Sequence, residues 1–152
     1  MPILLGGSGE KKTFALAARF ADHLNIICGA SELPRKLEAL NARCAEVGRD
    51  RSTLETSYLA FVFIDENGDR ARQLQHNLLL GRGIDLSNAS DEERAAATAQ
   101  QICGAPDEVA EQLKTRVLDA GIDGIIVNLV ANGHEPGIVE LAGRTLRPLV
   151  DA

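Results

Sequence analysis

The chain has 152 residues, of which 45% are hydrophobic and 25% are charged, and it carries a formal net charge of −6. This length suits roughly one domain of about 100–200 residues, and we predict a single domain over residues 1–152. The acidic balance argues against nucleic-acid binding, which needs a basic face, and no apolar stretch approaches the ~20 residues of a membrane span. Three cysteines without a C-x-x-C spacing argue against a disulfide framework and a zinc site, so we expect a cytoplasmic protein that binds no metal.

The first half of the chain alternates short apolar runs with amphipathic segments. The wholly apolar run 2–5 predicts a strand buried on both faces of a parallel sheet, and apolar residues at helical spacing over 12–21 predict a helix. The run 24–28 predicts a second strand, which is closed by glycine. Residues 31–48 predict a second helix, in which Ser31 caps the first turn.

The second half contains the strongest strand pattern of the sequence, residues 56–64, where β-branched and aromatic side chains predominate. A further buried strand is predicted at 124–130. Helices are expected at 70–80, from 91 onward behind a Ser90–Glu93 capping box, at 106–120 and at 138–150. The resulting order, β-α-β-α-β-(α-α-α)-β-α, implies parallel strands with right-handed crossovers. Either an open doubly wound sheet of four strands or part of an eight-stranded (β/α) barrel accommodates it.

The stretch LLGGSGEKKT, residues 4–13, places glycines, a serine and lysines at a turn between a strand and a helix. The first N–H groups of a helix are unpaired and, together with the helix dipole, attract an anion. Glycines let a phosphate approach the backbone, Ser8 adds a hydroxyl donor, and Lys11 and Lys12 add positive charge. Residues 6–12 therefore suit a phosphate cradle. The alternative interpretation is that the glycines form only a tight strand-to-helix turn.

Two named phosphate motifs fit this turn poorly. A Walker A loop has glycine directly before its lysine, whereas Glu10 precedes Lys11. In the dinucleotide fingerprint G-x-G-x-x-G, Lys12 would occupy the third glycine position, and no acidic residue ends the second strand. A nucleotide triphosphatase and a dinucleotide-binding fold are therefore both disfavoured.

Three segments and the closing helix carry a resemblance to a known family. The first segment is PILLGGSGEKKTFALAARFADHLNI, residues 2–26, which matches a pattern of strand, GGxGEKxT loop, helix and ARxAD run. The second is KLEALNARCAEVGRD, residues 36–50, and the third is GAPDEVAEQLKTRVLDAGIDGIIVNL, residues 104–129. In this order they resemble the luciferase-like flavin- or coenzyme F420-dependent oxidoreductases. The EVGRD helix end resembles the F420-using branch more than the FMN-using monooxygenases.

The resemblance implies a fold and a cofactor site. The family fold is a (β/α)8 TIM barrel of roughly twice this length, and the resemblance covers its C-terminal half, strands 5–8. In the family, the loop after strand five contacts the cofactor phosphate, and the end of strand six lies at the same catalytic rim. The cofactor-binding residues implied here are Gly6, Gly7, Ser8, Gly9, Glu10, Lys11, Cys28, Gly29 and Ala30.

The reaction implied by the resemblance is hydride transfer, in which a deazaflavin or flavin ring carries the chemistry and the protein supplies orientation and electrostatics. Coenzyme F420 is the expected cofactor and FMN is the alternative. The family residues that cradle the ring and transfer protons lie mostly on strands one to four, outside the resemblance. His134, which lies beside Glu135 in the loop after the last strand, is the acid–base candidate of this half. A non-catalytic phosphate- or nucleotide-binding module is the second hypothesis.

A half-barrel has two open strand edges and an unfilled interior, both of which favour association. We therefore expect a homodimer or larger assembly, or pairing with a separate N-terminal half. The family's glycine loop lies in the middle of its chain, whereas here it begins at residue 6. This position predicts a truncated chain that lacks the first half of the barrel.

Overall fold

The structure is a computed structural model that describes residues 1–150, and five strands and six α-helices alternate along this part of the chain. The strands are β1 (Leu4–Gly7), β2 (His23–Ile26), β3 (Glu55–Ile64), β4 (Gln101–Gly104) and β5 (Gly124–Asn128). The helices are α1 (Thr13–Phe20), α2 (Leu33–Glu46), α3 (Gly68–Gly81), α4 (Asp91–Ala97), α5 (Pro106–Arg116) and α6 (Ile138–Val150). Within residues 1–150, none of these helices combines the length and the apolar character needed to cross a membrane.

The strands pair in parallel ladders. β1 runs beside β2, from Leu4 opposite His23 to Gly7 opposite Ile26, and β2 pairs with the first half of β3. The second half of β3 pairs in parallel with β4, and β5 also pairs with β3. The helices that connect successive strands complete an α/β fold with a parallel sheet, which confirms the predicted class.

The described residues pack as two units. Residues 1–59 and 116–126 form the first unit, and residues 60–115 with those from 127 onward form the second. Fully buried apolar side chains of the first unit include Phe14, Ala17, Leu24, Ile26, Leu33, Leu40, Leu54 and Tyr58. Those of the second unit include Ala60, Val62, Phe63, Ile64, Ala71, Ile102, Val109 and Leu113. The single-domain organisation expected from the chain length stays a prediction.

The helix ends confirm two predictions from the sequence, the capping box of α4 and the bounds of α6, and they show one further cap. α4 begins with the predicted capping box, in which Ser90 Oγ accepts from the Glu93 N–H at 3.3 Å and the Ser90 N–H donates to Glu93 Oε2 at 2.8 Å. The side chain of Asn67 caps α3 by accepting from the Asp69 N–H at 3.0 Å. α6 spans residues 138–150 as predicted. The capping box depends on contacts between residues three positions apart, which explains why the sequence alone locates it.

Two strands are less buried than their apolar sequences predict. The run 2–5 predicts a strand buried on both faces, but β1 lies at 4–7 and Leu4 is 55% exposed. β5 ends at Asn128 rather than at residue 130, and Ile126 is 38% exposed. Within residues 1–150, β1 pairs with β2 alone. An apolar run predicts burial only where neighbouring elements cover the strand, and β1 lacks this cover on one side.

Two more expectations are wrong and one element is missed. Ser31 lies in a 3-10 turn, and α2 begins after it at Leu33, so Ser31 does not cap this helix. The helix expected to reach residue 120 ends at Arg116, and residues 118–120 form a separate 3-10 turn. β4 is not predicted because its sequence, QICG, contains only two successive apolar residues and lacks the longer apolar run that marks β1 and β2.

Arg49 ties the C-terminal end of α1 to the segment that precedes β3. Its Nη1 donates to the carbonyl of Ala21 at 2.7 Å and to that of Ala17 at 3.2 Å. Its Nη2 donates to the carbonyl of Thr53 at 2.7 Å. The last carbonyls of a helix have few partners within the helix, so this guanidinium adds hydrogen bonds there and places positive charge at the negative end of the dipole. Arg49 of the EVGRD segment therefore has a structural role.

We predict that Arg49→Met destabilises the protein by about 2 kcal/mol, because it removes charge-assisted hydrogen bonds to partly buried carbonyls. Arg49→Lys should recover only part of the loss, since one ammonium cannot reach both sets of carbonyls. The measurement is the free energy of unfolding in urea. Lys114→Met, at an exposed position of α5, is the control and should change stability by less than about 0.5 kcal/mol. Equal stability of Arg49→Met and wild type would show that these hydrogen bonds of Arg49 do not stabilise the fold.

Candidate functional site

The glycine loop (residues 6–12) and the second loop (residues 27–32) lie at the same edge of the sheet. β1 and β2 are parallel, with Gly7 opposite Ile26, so both strands end at this edge. The structure therefore brings together the predicted cofactor-binding residues 6–11 and 28–30, all of which lie in the first unit. In parallel α/β folds, the carboxyl ends of the strands are where ligands bind.

Two of the three glycines in the glycine loop are required by the turn itself. Gly7 has a φ of 150°, and a Cβ added there would lie 3.2 Å from Thr13 Cγ2. A Cβ added at Gly9 would lie 3.0 Å from Thr13 Oγ1, which is closer than ordinary contact. A Cβ added at Gly6 would meet nothing within 4 Å. The tight-turn interpretation thus explains Gly7 and Gly9 but leaves Gly6 without a packing reason.

The glycine loop presents exposed backbone and positive charge. Its exposed residues are Gly6, Ser8, Gly9, Lys11 and Lys12. α1 begins directly after Lys12, and no side chain of the described residues caps it. Within residues 1–150, the Gly9 N–H donates no hydrogen bond. An open backbone donor, a helix N-terminus and two lysines in one loop form an arrangement suited to a phosphate group.

Glu10 does not face this exposed surface but is held by three cations of α2. Lys36 Nζ donates to Glu10 Oε1 at 2.8 Å and to the Ser8 carbonyl at 3.0 Å. The Arg35 guanidinium pairs with the same carboxylate oxygen, and Arg43 Nε donates to the Glu10 carbonyl at 3.0 Å. The hydrogen bond from Lys36 is the main cause that lowers the pKa of the Glu10 carboxyl below its ordinary value. Glu10 is therefore an internal counter-ion of the loop.

Arg35 also connects the glycine loop to the second loop. Its Nη2 donates to Glu32 Oε1 at 3.1 Å, and Glu32 Oε2 accepts from the Gly29 N–H at 3.2 Å. One guanidinium thus links the carboxylates of Glu10 and Glu32, and through Glu32 the backbone of Gly29. Sequence reasoning missed this set of cations. The signal that could have found it is Lys36, a lysine among the leucines of an apolar helix face.

The remaining predicted residues of the second loop have buried side chains. Cys28 is buried, and this burial raises the pKa of its thiol to about 11, so the thiol is protonated at neutral pH. The Cys28 carbonyl accepts from the buried Tyr58 hydroxyl at 2.9 Å. Ala30 is buried as well. The Gly29 N–H donates to Glu32. The three predicted residues of this loop, Cys28, Gly29 and Ala30, are therefore each engaged in hydrogen bonding or packing within the protein.

His134 lies in the second unit, in the loop after β5, and its side chain is exposed. Its neighbour Glu135 is engaged by Arg70, whose Nη2 donates to Glu135 Oε2 at 2.6 Å. Arg70 also pairs with the buried Asp65 at the end of β3. The neighbouring carboxylate is thus occupied by Arg70 in an ion-pair network of the second unit.

The opposite, N-terminal ends of β2 and β3 carry a second polar cluster. His23 Nε2 lies 2.7 Å from Ser57 Oγ, and His23 Nδ1 lies 3.6 Å from the Glu55 carboxylate. Beside them is a cavity of about 470 Å³, lined by His23, Arg51, Ser52, Glu55, Thr56, Asp123 and Gly124. Asp123 accepts from the Thr56 N–H at 2.8 Å and from its hydroxyl at 2.6 Å. Among residues 1–150, no three His, Cys, Asp or Glu side chains are arranged to hold a metal ion.

The sequence of residues 1–124 matches the model of a family described as luciferase-like monooxygenase. No curated protein sequence matches the chain.

Solved structures share the fold at low sequence identity. The coenzyme F420-dependent tetrahydromethanopterin reductase of Methanopyrus kandleri aligns with a TM-score of 0.72 and 18% identity, over 99% of this chain and 51% of that one. An F420-dependent secondary alcohol dehydrogenase aligns with a TM-score of 0.66 and 19% identity, over 99% of this chain and 49% of that one. The oxygenating constituent of 3,6-diketocamphane monooxygenase of Pseudomonas putida was solved with FMN. It aligns with a TM-score of 0.66 and 18% identity, over 95% of this chain and 46% of that one. The chain therefore spans about half the length of these proteins.

We predict that the ion pairs of Glu10 with Lys36 and Arg35 make the free energy of unfolding fall in acid. A carboxyl whose pKa is lowered on folding stabilises the folded state above its ordinary pKa of 4.5, and this stabilisation is lost as the pH falls through the lowered folded pKa. Glu10→Gln should therefore be less stable than wild type near neutral pH, and the difference should shrink below the ordinary pKa. The measurement is the urea midpoint from about pH 7 to about pH 3.

The matched control for this experiment is Glu38→Gln, at an exposed position on α2. It should follow wild type across the whole pH range. A Glu10→Gln protein whose midpoint differs from wild type by a constant amount at every pH would refute the ionic role of Glu10.

Proposed function

This chain belongs to the luciferase-like monooxygenase family, and we propose that it binds the phosphate of a flavin or deazaflavin cofactor at the glycine loop and serves oxidoreductase chemistry. Hydride transfer with coenzyme F420 is the first proposal, and FMN-dependent oxygenation is the alternative. The observation that carries the proposal is the open surface at Gly6, which the packing of the turn does not explain. An absent Cβ with free space above it is what a backbone cradle for a phosphate requires.

The groups around Gly6 fit a phosphate in both charge and hydrogen bonding. The Gly9 N–H and the exposed Ser8 hydroxyl are donors, and the exposed Lys11 and Lys12 supply positive charge. Glu10 would oppose an anion if it faced this surface, but Arg35 and its neighbours on α2 hold its carboxylate. The side-chain charge at the exposed surface of the loop is therefore positive, as an anion site requires.

The residues of this chain would bind and orient the cofactor. The ring of a bound flavin or deazaflavin supplies the hydride or electron chemistry. The glycine loop would hold the phosphate, and α2 supports that loop through hydrogen bonds to Glu10 and to the Ser8 carbonyl. In the second loop, the protonated Cys28 thiol adds no negative charge, and the Tyr58 hydroxyl fixes the Cys28 carbonyl. His134 stays the candidate for proton transfer.

The two cofactor proposals have different support. Two structurally similar enzymes are F420-dependent, and a third was solved with FMN. The EVGRD segment resembles the F420-using branch, which places F420 first.

A non-catalytic phosphate- or nucleotide-binding module is the second candidate function. It is favoured by the second loop, where Glu32 accepts from the Gly29 N–H and the Cys28 thiol is protonated, so that neither offers a reactive group.

The decisive experiment is a titration of the protein with F420 and with FMN, followed by their absorbance and fluorescence. We expect saturable binding of one cofactor, which identifies it. Reduction or oxidation of the bound cofactor by a candidate substrate would support the enzyme, and binding without turnover would support the module. Absence of binding to either cofactor would refute the proposal.

Gly6→Ala tests where the phosphate binds. A Cβ at this position meets nothing in the folded protein, so the urea midpoint should stay the same or rise slightly. The Cβ would keep a phosphate from the backbone, so we expect affinity for the cofactor to fall by about tenfold, the equivalent of one lost hydrogen bond. Gly81→Ala, where a Cβ is equally free of contact, is the control and should leave the affinity unchanged. Unchanged affinity of Gly6→Ala would exclude this cradle.

We also propose that the chain associates, either as a homodimer or with a chain that supplies the other half of a barrel. Support comes from exposed apolar side chains on and around β1 and α1: Ile3, Leu4, Leu16 and Phe20. An exposed strand edge with apolar neighbours is a surface that pairs with another chain.

Light scattering after size-exclusion chromatography tests the homodimer. We expect a mass of at least twice the 16.2 kDa of one chain. The double variant Leu4→Glu, Phe20→Glu should shift the mass to that of the monomer, because it places charge on this surface. Val139→Glu, at an exposed apolar position of α6, should not. A stable wild-type monomer would exclude self-association.

A further inference from the structure

Lys36 is a buried cation on the apolar face of α2. Its exposed fraction is 8%, and it lies among the buried residues Leu33, Leu37 and Leu40 of the same helix. Lysine is almost never this buried unless it is paired, because the removal of an ammonium from water is costly. The position therefore calls for a specific reason.

Within residues 1–150, the ammonium of Lys36 donates two hydrogen bonds, and both go to the glycine loop. One joins its Nζ to Glu10 Oε1 at 2.8 Å, and the other joins it to the carbonyl oxygen of Ser8 at 3.0 Å. The first bond neutralises the ammonium. The second fixes the orientation of a peptide group in the middle of the loop.

The orientation of that peptide determines where the Gly9 N–H points. A trans peptide is planar, and its C=O and N–H bonds point in opposite directions. Because the Ser8 carbonyl is directed to Lys36, the N–H of Gly9 in the same peptide is directed away from Lys36. This N–H donates to no atom of residues 1–150, and Gly9 is exposed. Without Lys36, the peptide could turn over, as exposed glycine peptides do, and present a carbonyl oxygen to an anion instead.

We propose that Lys36 is a positioning residue of the cofactor site, which acts by holding the Ser8–Gly9 peptide so that the Gly9 N–H donates to the cofactor phosphate. This inference rests on the proposed function. It differs from direct charge attraction, which the exposed Lys11 and Lys12 supply and which salt screens. Lys36 touches no ligand in this role, and its effect is confined to the phosphate end of the cofactor.

The experiment compares ligands with and without the phosphate. The probes are FMN with riboflavin, or coenzyme F420 with its phosphate-free deazariboflavin, and the readout is the dissociation constant from fluorescence. In wild type, the phosphorylated ligand should bind more tightly. In Lys36→Met, its affinity should fall at least tenfold, to that of the phosphate-free ligand, whose own affinity should not change. Lys36→Arg, which keeps two donors for Ser8 and Glu10, should restore most of the difference.

The controls separate a failure of this inference from a failure of the proposed function. Lys11→Met, at an exposed position of the loop, should weaken binding by less than Lys36→Met, and its effect should disappear in high salt. If wild type has no preference for the phosphorylated ligand, the proposed function and this inference both fail. If wild type has the preference and Lys36→Met keeps it, or loses affinity for both ligands equally, only this inference is overturned.

A second measurement covers the case in which Lys36→Met does not fold. The amide ¹H and ¹⁵N shifts of Gly9 are followed in the wild-type protein during titration with each ligand. They should move with the phosphorylated ligand and stay constant with the phosphate-free one. A Gly9 amide that does not respond to the phosphorylated ligand while other loop amides do would overturn the inference.

Discussion

A buried ammonium group on α2 is the constraint on which the candidate site depends. Lys36 lies on the face of α2 that packs inward, so its charge must be paired within the protein. The carboxylate that pairs with it comes from Glu10, in the middle of the glycine loop. This pairing draws the loop against α2, and Arg35 extends the same network through Glu32 to the Gly29 backbone. The two loops at the ends of β1 and β2 are thereby held by one helix.

This arrangement separates two roles that the glycines could have. Gly7 and Gly9 are needed because Thr13 approaches them closely, which is a demand of the turn between β1 and α1. Gly6 meets no such demand, and the loop around it has its acidic residue turned inward and its lysines outward. The geometry thus makes a positively charged, glycine-lined surface at the carboxyl edge of the sheet. The chain belongs to the luciferase-like monooxygenase family, and under the proposed function this surface binds the phosphate of a flavin or deazaflavin.

The strands show a contrast between inner and outer positions. β2 and β3 carry fully buried side chains such as Leu24, Ile26 and Tyr58, whereas Leu4 of β1 and Ile126 of β5 are exposed. All four strands are rich in apolar residues, so the sequence does not show which strands are buried and which are exposed. What distinguishes them is whether another element lies beside them. Within residues 1–150, β1 pairs with β2 alone, whereas β2 pairs with both β1 and β3.

The sequence by itself determined the features that depend on near neighbours: the alternation of strands and helices, the Ser90–Glu93 capping box, the glycine loop between β1 and α1, and the family resemblance. These follow from periodicity and short-range hydrogen bonds, which a linear pattern records. Only the tertiary structure decided that Lys36 reaches Ser8 and Glu10, and that Glu10 faces α2 rather than a ligand. Those contacts join residues 26 and more positions apart. The physical reason is that the sequence gives the charge of a side chain, whereas the fold determines which oppositely charged group lies near enough to neutralise it.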